Sequence, residues 1–252
     1  MELEEFPQYL VDLYKDLPRC SPGTPETTKK AFLMLDALPK MPKILDIGCG
    51  TGMQTIELAK LSKGTIIAID ICEPFLDVLN KRAEKEGVSH QIETFHTSMF
   101  SLDFAEESFD VIWAEGSIYF YGFEKGLINW QKFLKKGGYF VVSELEWFKN
   151  DPPNELKEYW TVAFPEISNN ESHLRIIKKT GYKLVGQFPF SSNDWLPMYS
   201  SLERKIQELR EIYKENNEAL KEYDENQKEI EIFKKYNMFF GYMIYVLQTR
   251  KK

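Results

Sequence analysis

KILDIGCGTGMQTIELA, residues 43–59, places an apolar strand, a glycine-rich turn and the start of a helix directly after one another. The glycines are Gly48, Gly50 and Gly52, whereas a turn that binds a dinucleotide has the spacing G-x-G-x-x-G. Its third glycine would fall at position 53, which is Met53. The turn therefore argues against a pyrophosphate and favours a nucleoside that carries no phosphate.

Strand and helix patterns alternate along the chain after this turn. The strand patterns are KILDIG, TIIAID, QIETFH, FDVIWAE and YFVVSE, and helix patterns cover residues 53–61, 74–86 and 123–135. Four of these strands are nearly continuous apolar runs, which are typical of parallel strands covered by helices on both faces. The sequence predicts a doubly wound α/β sheet in one domain, residues 1–252.

The flanking segments add helices at both ends. A short helix is expected over residues 6–18, and Thr24 and Pro25 are suited to begin a second one. Residues 147–167 show no regular pattern. A helix over 170–180 and the strand YKLVGQFPF follow, and two charged helices in residues 191–238 precede the last strand, FFGYMIYVLQT.

Composition excludes several classes of protein. The net charge of −7 disfavours a nucleic-acid partner. Three cysteines without C-x-x-C spacing and three histidines make a zinc site unexpected, so no metal is predicted. The start of the chain lacks the pattern of a secretory leader, and no apolar run approaches the ~20 residues of a membrane span. We expect a cytoplasmic protein without a membrane partner.

An acidic residue follows the glycine turn at a telling distance. Asp70 ends the second strand pattern, 22 positions after Gly48. A carboxylate about 20 residues after the turn commonly binds the hydroxyls of a ribose. Because ligands of such sheets bind outside the carboxyl ends of the strands, the sequence predicts a nucleoside across the ends of the first two strands.

LDIGCGTG and IIAIDICEPFLDVL resemble motifs of the class I S-adenosylmethionine-dependent methyltransferases. TSMFSLDFAEESFDVIWAEGSIYF and LKKGGYFVVSE are similar to later motifs of that family, so the resemblance covers residues 43–146. It is nearest to small-molecule enzymes related to quinone biosynthesis. The resemblance implies S-adenosyl-L-methionine as cofactor, S-adenosyl-L-homocysteine as product and a small-molecule acceptor. It also implies a Rossmann-like, seven-stranded sheet of order 3-2-1-4-5-7-6, whose antiparallel last strand is FFGYMIYVLQT.

The resemblance also implies a cofactor site. Its residues would be Asp46, Gly48, Cys49, Gly50, Thr51 and Gly52 at the methionine end, Asp70 at the ribose, Ile71, Ser98 and Met99 around the adenine, and Glu115 and Gly116 beside the methyl group. Arg19 is added as a partner of the cofactor's carboxylate if residues 1–42 cover the site; otherwise it is exposed to solvent. Other interpretations stay open: Asp46 could bind backbone amides of the turn, Ser98 could cap a helix, and Ile71 and Met99 could belong to the core.

Three residues are candidates for catalysis. Glu115 and Glu144 follow the fourth and fifth strands, so both are expected in one crevice, where either could act as a general base. Glu115 could instead contact the cofactor, and Glu144 could be a solvated charge. Tyr119 could hydrogen-bond the acceptor or simply pack. His173 is expected at the surface.

Two features bear on the acceptor. Trp113, Trp147, Trp160 and Trp195 could form an aromatic wall for a cationic or flat apolar molecule, or could belong to the core. Residues 191–238 form a helical insertion between the sixth and seventh strands, interpreted as a lid or a homodimer surface; a solvated hairpin is the alternative. Competing functions are methylation of RNA or protein, binding of S-adenosylmethionine without catalysis, and nicotinamide-dependent oxidoreduction.

Overall fold

A mixed β-sheet forms the centre of the computed structural model, which describes residues 6–250. Expectations that rest on residues 1–5, such as the missing leader, lie outside the described residues. The strands are β1 (Lys43–Ile47), β2 (Thr65–Asp70), β3 (Ile92–His96), β4 (Phe109–Ala114), β5 (Leu134–Trp147), β6 (Ser168–Asn169), β7 (Lys183–Pro189) and β8 (Phe240–Gln248).

The strand order is β3-β2-β1-β4-β5-β8-β7. β8 runs antiparallel to both β5 and β7, while β1 to β5 are parallel to one another. This order confirms the predicted seven-stranded arrangement with its antiparallel last strand. The two-residue β6, which pairs with the end of β5, is an eighth strand that the sequence did not predict.

Nine α-helices connect the strands of the described chain. They are α1 (Gln8–Tyr14), α2 (Pro25–Phe32), α3 (Met53–Ser62), α4 (Glu73–Lys85), α5 (Phe123–Asn129), α6 (Asn154–Ala163), α7 (Asn170–Lys179), α8 (Ser192–Ile212) and α9 (Asn217–Tyr236). The start of α2 is as predicted, since the Thr24 side chain accepts a hydrogen bond from the backbone N–H of Thr27 and Pro25 is the first helical residue.

Both faces of the sheet are buried. On the first face, Ile44 and Val111 lie in an apolar core shared with α3, α4, α6, α8 and α9. On the second face, Leu45 and Ile112 lie in a core shared with α5 and α7. Neighbouring residues of a strand point to opposite faces, so these strands need apolar residues at nearly every position. This explains the continuous apolar runs in the sequence.

Two boundaries differ from the predictions. The helix expected over 123–135 ends at Asn129, because a short 3₁₀ turn, Gln131–Phe133, carries the Phe133 side chain into the core and β5 begins directly afterwards. The segment predicted to be irregular contains α6. Its Leu156 and Trp160 are buried on the first face of the sheet, so packing stabilises a helix that the sequence pattern did not reveal.

The insertion packs on the N-terminal segment. The Tyr14 hydroxyl of α1 donates to Asn226 Oδ1 of α9 at 2.7 Å, and the Tyr213 hydroxyl at the end of α8 donates to Asp12 Oδ2 at 2.6 Å. α8 and α9 also bury apolar residues in the first core. Together α1, α8 and α9 form one layer above the sheet.

Within residues 6–250, none of the helices combines the length and apolar character that crossing a bilayer requires.

Candidate active site

The turn between β1 and α3 has a backbone that glycine adopts readily. Gly48, Gly50 and Gly52 have φ angles of +73°, +54° and +84°, a region that costs other residues roughly 1–2 kcal/mol each. The backbone N–H groups of Gly48 and Cys49 both donate to the carbonyl of Ile69, at 2.9 and 3.0 Å. A Cβ atom at Gly52 would clash with α4. The three glycines therefore allow both the tight turn and the close packing of α3 on α4.

Asp70, the last residue of β2, binds this turn directly. Its Oδ2 accepts a hydrogen bond from the backbone N–H of Gly50 at 2.8 Å, and its Oδ1 accepts one from that of Cys72 at 2.9 Å. Burial raises the pKa of Asp70 above its ordinary value. Each carboxylate oxygen can accept a second bond. The structure thus brings the turn and the predicted ribose carboxylate together, with acceptor capacity to spare.

Asp46 lies buried beneath the turn, in β1. Its Oδ2 accepts a hydrogen bond from the Thr55 hydroxyl of α3 at 2.6 Å, rather than from backbone amides of the turn. Its Oδ1 has no hydrogen-bond partner within residues 6–250. Burial raises the pKa of Asp46 to about 7. The vacant oxygen is one of the few buried polar atoms near the turn that a ligand donor could satisfy.

Arg19 is buried, contrary to the alternative that left it in solvent. Its Nη2 lies 2.9 Å from Glu115 Oε1, and both side chains are almost completely inaccessible. Glu115 Oε2 also accepts hydrogen bonds from the Thr28 hydroxyl (3.0 Å) and the Trp113 indole (2.8 Å). Arg19 Nη1 has no hydrogen-bond partner among the described residues. The pair joins the N-terminal segment to the end of β4 and leaves one buried cationic donor vacant.

An arginine of α4 holds the N-terminal segment against the glycine turn. Arg82 Nη2 donates to the carbonyl of Leu17 at 2.7 Å, and Nη1 lies within hydrogen-bond distance of the carbonyl of Pro18 (3.2 Å). The same Nη1 reaches the carbonyl and hydroxyl of Thr51, at 3.1 and 2.8 Å. Sequence reasoning missed Arg82, because nothing local distinguishes it from a solvated helix residue.

The segment fixed in this way lies directly on two of the predicted cofactor residues. A Cβ at Gly50 would lie 3.3 Å from Cys20 Sγ, and one at Gly116 would clash with the Ser21 side chain. Gly116 has a φ angle of +75°. Close approach of the covering segment therefore depends on glycine at both positions, and Cys20 and Ser21 form part of the site, which the sequence did not reveal.

The residues predicted around the adenine lie at the same edge of the sheet. Met99 Cε is 3.6 Å from the position of a Cβ at Gly48. Ser98 is buried, and its hydroxyl accepts a hydrogen bond from the backbone N–H of Phe100 at 3.2 Å. No helix begins there, because the chain between β3 and β4 forms a turn, so the helix-cap alternative for Ser98 is wrong. Ile71 is 41% exposed, which leaves an apolar side chain available beside Asp70. Their contacts with an adenine stay predictions.

Glu144, the other general-base candidate, lies in β5. It alternates along β5 with Leu145, which contributes to the core on the opposite face of the sheet. Glu144 is 1% exposed rather than solvated, and its Oε1 accepts one hydrogen bond, from the backbone N–H of Leu145 at 3.0 Å. Burial raises the pKa of Glu144 to about 8. Its charge raises the pKa of Tyr119 and that of Tyr242, so the side chain lies near these two residues. A role as general base stays a prediction.

His173 is buried, so the expectation of a surface histidine is wrong. Its Nδ1 lies 2.9 Å from Glu146 Oε2, which also accepts a hydrogen bond from the Tyr245 hydroxyl. The amide of Asn170 donates to the same hydroxyl at 2.9 Å. This network joins β5, α7 and β8 on the second face. The helix pattern around His173 gave no sign that β5 would supply a carboxylate partner.

A cavity of about 180 Å³ opens beside the covered edge. Cys20, Ser21 and Gly116 form its side toward the glycine turn. The remaining wall is largely aromatic, with a carboxylate from α9, and includes Tyr14, Tyr119, Trp160, Trp195, Glu229 and Tyr242. The N-terminal segment and the insertion together enclose this space.

The four tryptophans proposed as an aromatic wall divide between three environments. Trp160 and Trp195 line the cavity. Trp113 is buried in β4, where its indole donates to Glu115, and Trp147 lines a separate surface depression. The aromatic wall therefore contains two of the predicted tryptophans and the predicted Tyr119, together with Tyr14 and Tyr242, which the sequence did not single out.

The architecture is shared with a solved structure. The S-adenosylmethionine-dependent methyltransferase of Geobacter sulfurreducens, crystallised with S-adenosyl-L-homocysteine, matches with a TM-score of 0.84 over 98% of this chain and 99% of that one, at 18% identity. Residues 44–138 match the sequence model of a family described as a methyltransferase domain. Residues 44–138 are a class I methyltransferase domain. The matched range contains the glycine turn, Asp70 and Glu115.

Two curated relatives share this methyltransferase domain. Sterol 24-C-methyltransferase erg6 of Aspergillus fumigatus is 28% identical over 169 residues, which cover 64% of this chain and 45% of the relative. Demethylmenaquinone methyltransferase of Bacteroides fragilis is 34% identical over 105 residues, or 41% of this chain and 43% of that protein. The chain thus spans less than half the length of these relatives.

Proposed function

We propose that the chain transfers a methyl group from S-adenosylmethionine to a small-molecule acceptor. The observation that carries this proposal is the shared wall between the glycine turn and the aromatic cavity. Cys20 lies against Gly50 of the turn and also lines the cavity. At the end of the neighbouring strand β4, Ser21 lies against Gly116, and both residues line the cavity. A nucleoside bound at the turn and an acceptor in the cavity would be neighbours.

The chemistry of the surrounding residues fits this cofactor, which when bound supplies a methyl group already activated on a sulfonium. Asp70 keeps lone pairs for the hydroxyls of a ribose. Arg19 Nη1 is a buried, unsatisfied donor suited to a carboxylate, and Asp46 Oδ1 is an unsatisfied acceptor. The turn lacks Cβ atoms, which allows close approach of its backbone. Ile71, Ser98 and Met99 lie at the same edge of the sheet as the glycine turn, which also supports this cofactor.

The chain contributes chiefly by positioning. Holding two reactants in line can supply an effective molarity of up to ~10⁵–10⁸ M. The Tyr119 side chain lines the cavity, and its hydroxyl makes no hydrogen bond within the described chain, so it is suited to orient an acceptor. Glu115 is occupied by Arg19, Thr28 and Trp113, and we assign it a structural contact at the site rather than proton transfer.

We also propose that residues 6–42 and 191–238 cover the acceptor site jointly. The backbone N–H of Gly23 donates to the carbonyl of Asp194 at 2.7 Å, which links the N-terminal segment to α8. Trp195 of α8 and Glu229 of α9 both line the cavity. A homodimer surface on the outer side of the insertion remains the competing proposal.

A titration of the purified protein tests the cofactor. Calorimetry with S-adenosylmethionine, S-adenosyl-L-homocysteine and NAD⁺ should show binding of the first two and none of the third. Binding of NAD⁺ alone would overturn the proposal in favour of an oxidoreductase.

A second measurement tests transfer. Incubation with methyl-labelled cofactor and a fractionated cell extract should label the small-molecule fraction. Label that appears only in RNA or protein would overturn the small-molecule acceptor in favour of a macromolecular one. Tight cofactor binding with no transfer to any fraction would support the nonenzymatic alternative.

A further inference from the structure

A single carboxylate in the acceptor cavity points to the chemical class of the acceptor, an inference that rests on the proposed function. Glu229 lies in the middle of α9 and lines the cavity. Its Oε1 accepts a hydrogen bond from the Tyr199 hydroxyl at 2.7 Å. Within residues 6–250, Oε2 accepts no hydrogen bond and no lysine, arginine or histidine forms an ion pair with this carboxylate. Glu229 is therefore half satisfied, and its vacant side is available to the cavity.

The neighbouring polar groups do not compensate this charge. Asn226, one turn earlier on α9, is already occupied, since its Oδ1 accepts from Tyr14 and its amide donates to the backbone and side chain of Glu222. Arg19 is committed to Glu115. In the part of the chain that the structure describes, the cavity lining contains no lysine, arginine or histidine, and Glu222 adds a second negative charge nearby.

Burial makes this arrangement costly without a ligand. The Glu229 side chain is half-buried, and this burial raises its pKa, with a further increase caused by Glu222. Removing an unpaired charge from water costs several kcal/mol, a cost that a cation in hydrogen-bond contact offsets. A ligand that brings its own positive charge would thus bind more favourably than a neutral molecule of the same shape.

The rings around Glu229 favour the same kind of ligand. Trp160 and Trp195 present indoles to the cavity, and Tyr119 and Tyr242 add two phenol rings. Aromatic faces attract cations by about 0.5–2 kcal/mol per contact, most strongly when water is excluded. The hydroxyls of Tyr119 and Tyr242 make no hydrogen bond within the described chain, and can accept from an ammonium group. The cavity volume of about 180 Å³ lies below the ~300–1,000 Å³ of drug-sized pockets.

We propose that the acceptor is a small organic amine, bound as its ammonium ion between Glu229 Oε2 and the aromatic walls of the cavity. Glu229 acts here as a specificity-determining residue that anchors the acceptor. The atom that receives the methyl group is then set by where this anchor places the rest of the molecule.

Pairs of isosteric probes test this inference. The affinities of 2-phenylethylamine and cyclohexylamine, each against the alcohol of the same skeleton, are measured by calorimetry on protein saturated with S-adenosyl-L-homocysteine. Each amine should bind the unmodified protein at least tenfold more tightly than its alcohol. In Glu229→Gln this preference should fall to within about twofold, because the neutral amide cannot pair with the ammonium.

The matched control is Glu225→Gln, which removes the same charge from an exposed position one turn earlier on α9. It should keep the amine preference. An alcohol that binds as tightly as its amine, or a preference retained in Glu229→Gln, would overturn the inference. Binding of S-adenosyl-L-homocysteine is measured first, when the protein is saturated. If the unmodified protein does not bind it, the proposed function is refuted. If the protein binds it but shows no preference for the amines, this inference alone is refuted.

Discussion

Individual buried carboxylates determine much of the chemistry at the covered edge of the sheet. Asp70 is satisfied by two backbone amides, Glu115 by an arginine, a hydroxyl and an indole, and Asp46 is half satisfied by Thr55. The same residue type therefore has three different capacities for ligand binding. Asp70 differs from the others because it both supports the turn and keeps oxygen lone pairs that a ligand can use.

Asp70→Asn should weaken binding of S-adenosyl-L-homocysteine by roughly 10- to 100-fold. An amide turns one acceptor oxygen into a donor, so it cannot accept from the turn and from a ribose hydroxyl on both sides, and a hydrogen bond to a charged group contributes about 1.5–3 kcal/mol. Calorimetry measures the affinity, and circular dichroism establishes that the variant is folded. Asp77→Asn, an exposed carboxylate on α4, serves as the control. Equal affinities for Asp70→Asn and the control would contradict the assigned role.

At the scale of elements, the site depends on how the N-terminal segment is fixed. α1 and α2 lie outside the central sheet. The segment between them, residues 17–23, nevertheless lies against the glycine turn and lines the cavity. α4 holds it through Arg82, and α8 holds it through the carbonyl of Asp194. This cover, residues 17–23, is thus attached to the methyltransferase domain through α4 and to the insertion through α8.

Arg82→Ala should loosen this segment. The substitution leaves the carbonyls of Leu17 and Pro18 without their donor and removes the contacts to Thr51, a loss of about 1–3 kcal/mol for buried hydrogen bonds to a charged group. Hydrogen–deuterium exchange should rise in residues 17–23, with several-fold weaker binding of S-adenosyl-L-homocysteine. Arg175→Ala, at an exposed i,i+4 pair of α7, should change neither. Unaltered exchange in Arg82→Ala would show that the arginine does not hold the cover.

At the scale of the whole molecule, buried acids make stability depend on pH. Burial raises the pKa of Asp46 to about 7 and that of Glu144 to about 8. A carboxyl whose pKa is higher in the folded protein than in the unfolded chain binds its proton more tightly when folded. Its contribution to stability is complete below about pH 4 and is lost as pH rises through 7 to 8.

The free energy of unfolding should accordingly fall between pH 5.5 and 8.5, and Glu144→Gln should reduce this fall by a few kcal/mol, since each unit of pKa shift corresponds to about 1.4 kcal/mol. At pH 8.5 the variant should be more stable than the unmodified protein. Urea unfolding at several pH values gives both quantities. Glu171→Gln, a surface change on α7, should follow the unmodified curve. A Glu144→Gln variant with the same pH slope would contradict the assigned burial cost.

Features that depend on neighbouring residues are predictable from the amino-acid sequence alone. The glycine turn, the carboxylate of Asp70 and the strand order follow from local patterns and from the resemblance they support, because a turn needs particular backbone angles and a covered strand needs apolar residues throughout. The burial of Arg19, Glu144 and His173 and the enclosure of Glu229 by α1, α6 and α8 arise only when the chain folds. These outcomes depend on which distant segments pack together, and burial and pairing set the charge and the binding capacity of a side chain.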